Sequence, residues 1–479
     1  MRLPTHKTKI VCTIGPASRS EAVLEQLMRL GMNVARLNFA HGTQQGHRED
    51  IRCIRTVAAK LQRHCLIMAD LPGPKMRIGQ LLKEPLLLEK GDEVVLTTKN
   101  LADAPNQIPV AYKRLPESVT AGDMIFLNDG FIQLRVEKVS GENIFCRTVI
   151  DGPLLSHKGL SIPGVKIKAE VVSQADLAFV DFSLQEGVDA FGVSFVQGAA
   201  DILKVKEFAQ KKGHSAYVVA KIERAEAVEN IDDILSVADA IMIARGDLGV
   251  QIPLQDVPTV QKKLIHKANL LGRPVITATQ MLMSMTENIR PTRAEVSDVA
   301  NAILDGTDAV MLSEETAIGR YPAETVEMIV KIAISTEREE KAARALADLP
   351  TYFRAAASSG NATVEDIVTL NAVESADALN VRYILTRSQS RAAPCLISRF
   401  RPECWILSHG GDERTNNLLS LSYGVHPVDL DDVKSGVVGK TAGWLVATGM
   451  VAKDEKLIWV EDEASDDKLE ALSIKIIKT

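Results

Sequence analysis

The stretch AYVVAKIERAEAV, residues 216–228, opens as an apolar, β-branched run of the kind covered on both faces of a sheet, then reaches Lys221, Ile222 and Glu223. Residues i and i+2 of a strand face the same side, so Lys221 and Glu223 project together. Other apolar runs end in related groups. ARGDLG places Asp247 in a glycine-flanked turn, TATQ offers Thr277 and Thr279, and RLNFAH offers Arg36, Asn38 and His41. A further run ends at Asp70 and leads into LPGPKMR, with Lys75 and Arg77. Two carboxylates from adjacent strands, Glu223 and Asp247, suit Mg2+ or Mn2+, which take few carboxylates and keep positions for substrate oxygens. The N–H groups of Gly246 and Asp247 offer an anion a place beside that metal. Lys221, Arg36 and Arg77 add positive charge without taking a metal position. The set matches a phosphorylated, carboxylate-bearing substrate and the charge that develops in phosphoryl transfer.

Taken singly, each feature has a plainer explanation. A Lys-x-Glu at a strand end is more often a structural ion pair, and GDLG alone is usually just a turn. His41 alone suits a surface or a helix start. Met281, Met283 and Met285 suit packing or a helix surface. PTRAE is first a capping box, with Thr292 as cap and Glu295 at the third helical position. Five strand ends with compatible chemistry make coincidence less plausible, provided the strands end on one rim.

Eight apolar runs supply such a rim: Lys9–Gly15, Asn33–Phe39, Cys65–Leu71, Ala190–Val196, Ala216–Glu223, Ala240–Asp247, Pro274–Gln280 and Ala309–Ser313. Amphipathic helical stretches, such as Ser20–Leu30 and Val257–Leu271, fill most gaps, which predicts a (β/α)8 TIM barrel. Starts advance by 24 to 35 residues except between 65 and 190, where the step is 125. A second domain is therefore expected there, over 72–168. Its alternating runs, KGDEVVLTTKN and AGDMIFLNDGFIQLRVEKVSGENIFCRTV, predict a small antiparallel β-barrel lid. Residues 1–71 and 169–346 then form the barrel. After helix Pro322–Leu346 and a polar linker, RAAASSGNAT, the runs VRYILT, ECWILSH, VHPVDL, EKLIWVED and LSIKIIKT predict an open α/β domain over 347–479.

Composition narrows the function. With a net charge of −6 the chain is no general nucleic-acid binder. The six cysteines form no CxxC pair and no zinc spacing, so reduced thiols are expected. No run approaches membrane-spanning length and the first residues show no apolar signal core, so a soluble cytoplasmic protein is expected.

The segments KIVCTIGPAS, NVARLNFAHG, KIERAEAVENIDDIL, IMIARGDLGVQIP, ITATQMLMSM, RPTRAEVSDVANAILDGTDAVMLSEET and GRYPAET resemble pyruvate kinase, in family order. The resemblance is strong over 8–336 and looser beyond. It implies Mg2+- or Mn2+-dependent transfer of a phosphoryl group from phosphoenolpyruvate to ADP, giving pyruvate and ATP, the last step of glycolysis. It implies that Glu223 and Asp247 bind the metal, that Lys221 stabilises the phosphoryl group in flight, and that Arg36 grips the phosphate. Gly246, Asp247 and Thr279 would position the substrate carboxylate, with Thr279 also where the enolate is protonated. The nucleotide side would include Asn38, His41, Arg77 and, from the lid, Lys158, with Asp129 reaching the site on closure. A homotetramer is implied, and a small-molecule effector at the C-terminal domain is conceivable.

The chain departs from the family in ways that bear on function. Ala40 stands where many members have Ser, Leu71 where they have Thr, and Lys75 where they have Glu. These positions, with Asn38 and Asp70, surround the K+ of potassium-dependent members, so K+ independence is expected, with Lys75 near Asp70 supplying the charge. Glu314 replaces Gly or Ala. TRSQSRAA lacks the glycine of the family's effector-phosphate loop, though Thr386, Ser388, Ser390 and Arg391 could hold one phosphate. EDEASDD, at residues 461–467, would repel a sugar bisphosphate. Two other functions stay open on residues alone: a metal-dependent aldolase or lyase using Lys221 as a Schiff base, and a non-catalytic regulatory relative.

Overall fold

The structure is a computed structural model and describes residues 3–128, 130–164, 170–343, 348–387, 391–428, 438–465 and 468–479. Eight parallel strands close a barrel: β1 (Lys9–Ile14), β2 (Val34–Asn38), β3 (Leu66–Asp70), β4 (Ala190–Val193), β5 (Tyr217–Ile222), β6 (Ala240–Ala244), β7 (Val275–Ala278) and β8 (Ala309–Leu312). Each strand pairs with its neighbours in the chain, and β8 returns to β1.

Strand alternation decides what reaches the mouth. In β5, Val218, Ala220 and Ile222 face the surrounding helices, while Tyr217 and Val219 fill the barrel interior. Lys221 continues the interior row. Arg36 follows Val34 in the same way, and Asp70 follows Leu66 and Met68. The helices begin as the sequence predicts. Thr292 Oγ1 accepts from the Glu295 N–H at 3.2 Å and Glu295 accepts from the Thr292 N–H at 2.7 Å. Met281 and Met285 are buried packing residues.

Between β3 and β4 the chain builds a separate six-stranded sheet, mostly antiparallel, and a two-stranded one, around a core that includes Leu96, Ile125, Leu134 and Ile144. The C-terminal sheet has β9 (Tyr383–Arg387), β10 (Trp405–His409), β11 (Val425–Pro427), β12 (Lys456–Ser465) and β13 (Lys468–Lys478) in the order β11-β10-β9-β12-β13. The first four are parallel and β13 is antiparallel. The expected linker RAAASSGNAT is a correction: its first half is helical, within Asp348–Ser358. Alanine is the best helix former, and Leu349 and Phe353 bury one face of that helix. The expected domain borders at 168/169 and 346/347 fall outside the described residues, as do Asp129, Ser388, Ser390, Asp466 and Asp467.

The C-terminal domain closes the floor of the barrel. Leu418 and Leu421 join the interior cluster with Val11, Val34, Leu66 and Met311. Around them Asn417 Nδ2 donates to Asp189 Oδ1 at 3.3 Å, and Arg401 donates to the Thr307 carbonyl at 3.0 Å. Leu418→Ala should therefore lower the thermal midpoint of the whole protein, since emptying such a site costs about 2–5 kcal/mol. An unchanged midpoint in scanning calorimetry would show that the two bodies are energetically separate. Among the described residues no helix is long and apolar enough to cross a membrane.

Candidate active site

At the C-terminal mouth of the barrel the strand ends form one ionic cluster. Lys221 Nζ lies 3.1 Å from Asp70 Oδ1, 3.0 Å from Glu223 Oε1 and 2.7 Å from Ser194 Oγ. Arg36 Nε donates to Asp70 Oδ2 at 2.6 Å, and another Arg36 nitrogen donates to Thr13 Oγ1 at 2.9 Å. Gly192 lies beside Asp70 in the neighbouring strand; a Cβ there would come within 3.4 Å of Asp70 Oδ1.

The charges are deeply buried. Asp70 and Glu223 are each 2% exposed. Burial opposes ionisation of Asp70, but Arg36 and Lys221 outweigh it and hold its carboxyl below the ordinary range. For Lys221 burial favours the neutral amine, yet Asp70 and Glu223 raise its pKa above the usual lysine value. Glu223 is pushed up, first by burial and then by Asp247 and Asp70, against the attraction of Lys221. It is a carboxylate with less positive charge than it needs.

Asp247 is the other candidate metal carboxylate, and its setting corrects an expectation. ARGDLG is not a turn but the start of a helix, Arg245–Gln251, with Asp247 in its first turn, where an acidic side chain complements the helix dipole. The Gly246 N–H, expected to face an anion, instead donates to Thr279 Oγ1 at 2.8 Å. Thr279 and Gln280 have φ of 73° and 55°, a left-handed pair without glycine, costing about 1–3 kcal/mol each. Thr277 is not part of the mouth: it is fully buried and donates to Thr307 Oγ1 at 3.0 Å.

Lys75 also differs from expectation. Its ammonium lies 3.0 Å from Asp247 Oδ1, and no ion pair joins it to Asp70. Asp70 already has two cations, so the less compensated carboxylate attracts the third. Asn38 Oδ1 is engaged by the Ala40 N–H at 3.1 Å, and the Leu71 carbonyl accepts from Ser194 Oγ at 2.7 Å. His41 is exposed beside them, and His47 Nε2 lies 2.9 Å from its backbone carbonyl. Arg77 and Lys158 meet at the neck of the inserted domain, where Arg77 bridges Gly159 and donates to the His157 carbonyl at 3.0 Å. At the insert's other approach, a Cβ on Gly130 would lie 3.8 Å from Val250 Cγ2 on the helix that carries Asp247.

Ser194 and Phe195 were not singled out in the sequence. Ser194 touches Lys221, and the Phe195 N–H, presented by a left-handed backbone at φ 58°, donates to Glu223 Oε2 at 2.7 Å. A signal was there: Ser194 lies at i+4 from the inward-facing Ala190 of β4.

Pyruvate kinase barrel-domain and alpha/beta-domain profiles match residues 5–326 and 366–477. The chain belongs to the pyruvate kinase family. It is 49% identical over 432 residues to the pyruvate kinase of Thermococcus litoralis, covering 90% of each chain. It is 39% identical over 456 residues to that of Staphylococcus epidermidis, covering 94% of this chain and 77% of the relative. A crystal structure of a pyruvate kinase from Cryptosporidium parvum superposes with a TM-score of 0.89 at 32% identity, covering 99% of this chain and 96% of the other. The enzyme is thus a transferase of the family that uses phosphoenolpyruvate and ADP.

Proposed function

We propose that this chain catalyses Mg2+- or Mn2+-dependent phosphoryl transfer from phosphoenolpyruvate to ADP without needing K+. The observation that carries this is the Lys221 ammonium, buried at the mouth between Asp70 and Glu223. It is charged, fixed by three partners and directed where a transferring group would pass.

Glu223 and Asp247 fit the metal. Both are hard oxygen donors, and in this structure each leans on an ammonium, Lys221 for one and Lys75 for the other. Two carboxylates would leave positions on the cation for substrate oxygens and water. When bound, the divalent cation supplies positive charge to the phosphoryl and enolate oxygens. The remaining steps belong to side chains. Arg36, held by Asp70 and Thr13, presents a planar guanidinium to the phosphate. Lys221 stabilises charge that grows as the phosphoryl group leaves the enolate oxygen for ADP. Thr279, whose oxygen already accepts from Gly246, keeps its O–H free to donate toward the enolate. Gly246 and Asp247 line the carboxylate side; Asn38, His41, Arg77 and Lys158 border the nucleotide side.

A Schiff-base lyase needs a neutral lysine, and the carboxylates around Lys221 favour the ammonium. A homotetramer in the cytoplasm, with barrel, lid and C-terminal domains divided at 71/72, 168/169 and 346/347, completes the proposal. Phosphoenolpyruvate-dependent ATP formation, assayed with and without Mg2+, tests the reaction. Glu223→Gln should raise the Mg2+ concentration for half-maximal rate at least tenfold, because the amide keeps the Phe195 contact but loses the charge. An unchanged Mg2+ requirement would remove Glu223 from the metal site.

A further inference from the structure

The left-handed turn at Thr279–Gln280 is held from outside the substrate pocket. Arg245, from the helix that also carries Gly246 and Asp247, donates to the Thr279 carbonyl at 3.0 Å and to the Ala278 carbonyl at 3.4 Å. The same guanidinium makes a bidentate pair with Asp298, at 2.7 Å to each carboxylate oxygen, and a 2.9 Å contact with Met281 Sδ. Asp298 lies on helix Arg293–Leu304, the one started by the Thr292 cap. Arg245 therefore joins three elements around Thr279: its own helix, the turn after β7, and the helix that follows.

We infer that Arg245, braced by Asp298, is a positioning residue that fixes the Thr279 hydroxyl as a donor toward the substrate. Thr279 Oγ1 spends a lone pair on the Gly246 N–H, which leaves the hydroxyl hydrogen to point elsewhere. That geometry needs the strained turn, and a β-branched residue does not hold positive φ unless its surroundings insist. Two carbonyls tied to one planar fork provide the insistence. The fork suits Arg and not Lys, whose single ammonium cannot span a carboxylate and two carbonyls. The consequence falls on the second half of the reaction, in which a solvent proton relayed along Thr279 forms the C–H bond that turns the enolate into pyruvate. Phosphoryl transfer, placed on Lys221, Arg36 and the metal, should be less affected.

This inference rests on the role proposed for Thr279. The test is a cycle in the full chain: Arg245→Gln, Thr279→Ala and the double variant. Each is assayed for turnover and for exchange of pyruvate methyl protons with D2O by NMR, with Mg2+ and ATP present. Arg245→Gln should lower kcat and methyl exchange at least tenfold, with KM for phosphoenolpyruvate within about twofold, as expected when a reacting group is misplaced by a fraction of an ångström. The double variant should be no slower than Thr279→Ala alone, since Arg245 acts only through that residue. Asp298→Asn should reproduce the Arg245→Gln pattern more weakly, and it carries the same cycle if Arg245→Gln does not fold. Multiplicative losses in the double variant, or wild-type methyl exchange in Arg245→Gln and Asp298→Asn, would overturn the inference while leaving the proposed reaction standing. Wild-type exchange in Thr279→Ala would defeat the role of Thr279 itself, and this inference with it.

Discussion

Lys221→Met should lower kcat at least 100-fold while phosphoenolpyruvate still binds. Oriented charges in a water-excluded site are worth roughly that much or more, and this one acts chiefly in the transition state. Binding survives because Arg36 keeps both of its partners, Asp70 and Thr13, and Glu223 keeps the Phe195 N–H. The substitution also has a structural consequence. The ammonium separates two carboxylates that are almost wholly buried, and among the described residues it is the cation in an ion pair with Glu223. Removing one partner of a buried pair typically costs about 3–5 kcal/mol. The variant should therefore melt earlier than wild type without metal and recover part of the difference with excess Mg2+. The decisive numbers are kcat by coupled assay and phosphoenolpyruvate affinity by calorimetry. More than a tenth of wild-type kcat would remove Lys221 from the chemistry.

Much of this site was legible because a barrel strand has only two faces. Once Tyr217 and Val219 are inside, Lys221 has to follow them, and the same rule places Arg36 and Asp70. The rule also reaches Ser194, but nothing in FGVSFV stands out against its apolar neighbours. Other features had no local signal. Arg245 reads as one more charge in ARGDLG, because its partners lie 34 and 53 residues along the chain. Lys75 lies near Asp70 in sequence, whereas the mouth presents Asp247 to it from the helix that follows β6. The helical start of RAAASSGNAT was hidden by its polar second half, although Phe353 just before it is one of the residues that bury the helix. Sequence patterns report faces and periods well; they do not report which of several opposite charges a flexible lysine will reach.

The position of Lys75 leads to the other large expected effect. Turnover should proceed at full rate in buffer whose only monovalent cation is tetramethylammonium, at matched ionic strength. Two observations support this beyond the loss of side-chain oxygens at Ala40 and Leu71. The remaining oxygens are in use: Asn38 Oδ1 accepts from the Ala40 N–H, and the Leu71 carbonyl accepts from Ser194. The charges also balance. Asp70, Glu223 and Asp247 face Arg36, Lys221 and Lys75, three carboxylates against three cations in direct ion pairs. An acidic residue at position 75 would make four against two, a deficit that captured cations would have to fill. A tethered ammonium avoids that capture and its entropy. Lys75 is an exposed residue, so its contribution should be screened by salt, and the advantage of the wild type over Lys75→Glu should be largest at low ionic strength. Lys75→Glu reverses one charge next to Asp247 and should slow turnover at least tenfold by leaving the substrate phosphate short of positive charge, while Mg2+ binds more tightly once the competing ammonium is gone. Added K+ should restore only part of the rate, because Ala40 and Leu71 supply no side-chain oxygen to hold it. A tenfold rise of the wild-type rate on adding K+ would sink the proposal. A Lys75→Glu variant with unchanged Mg2+ dependence would show that the ion pair with Asp247 is incidental.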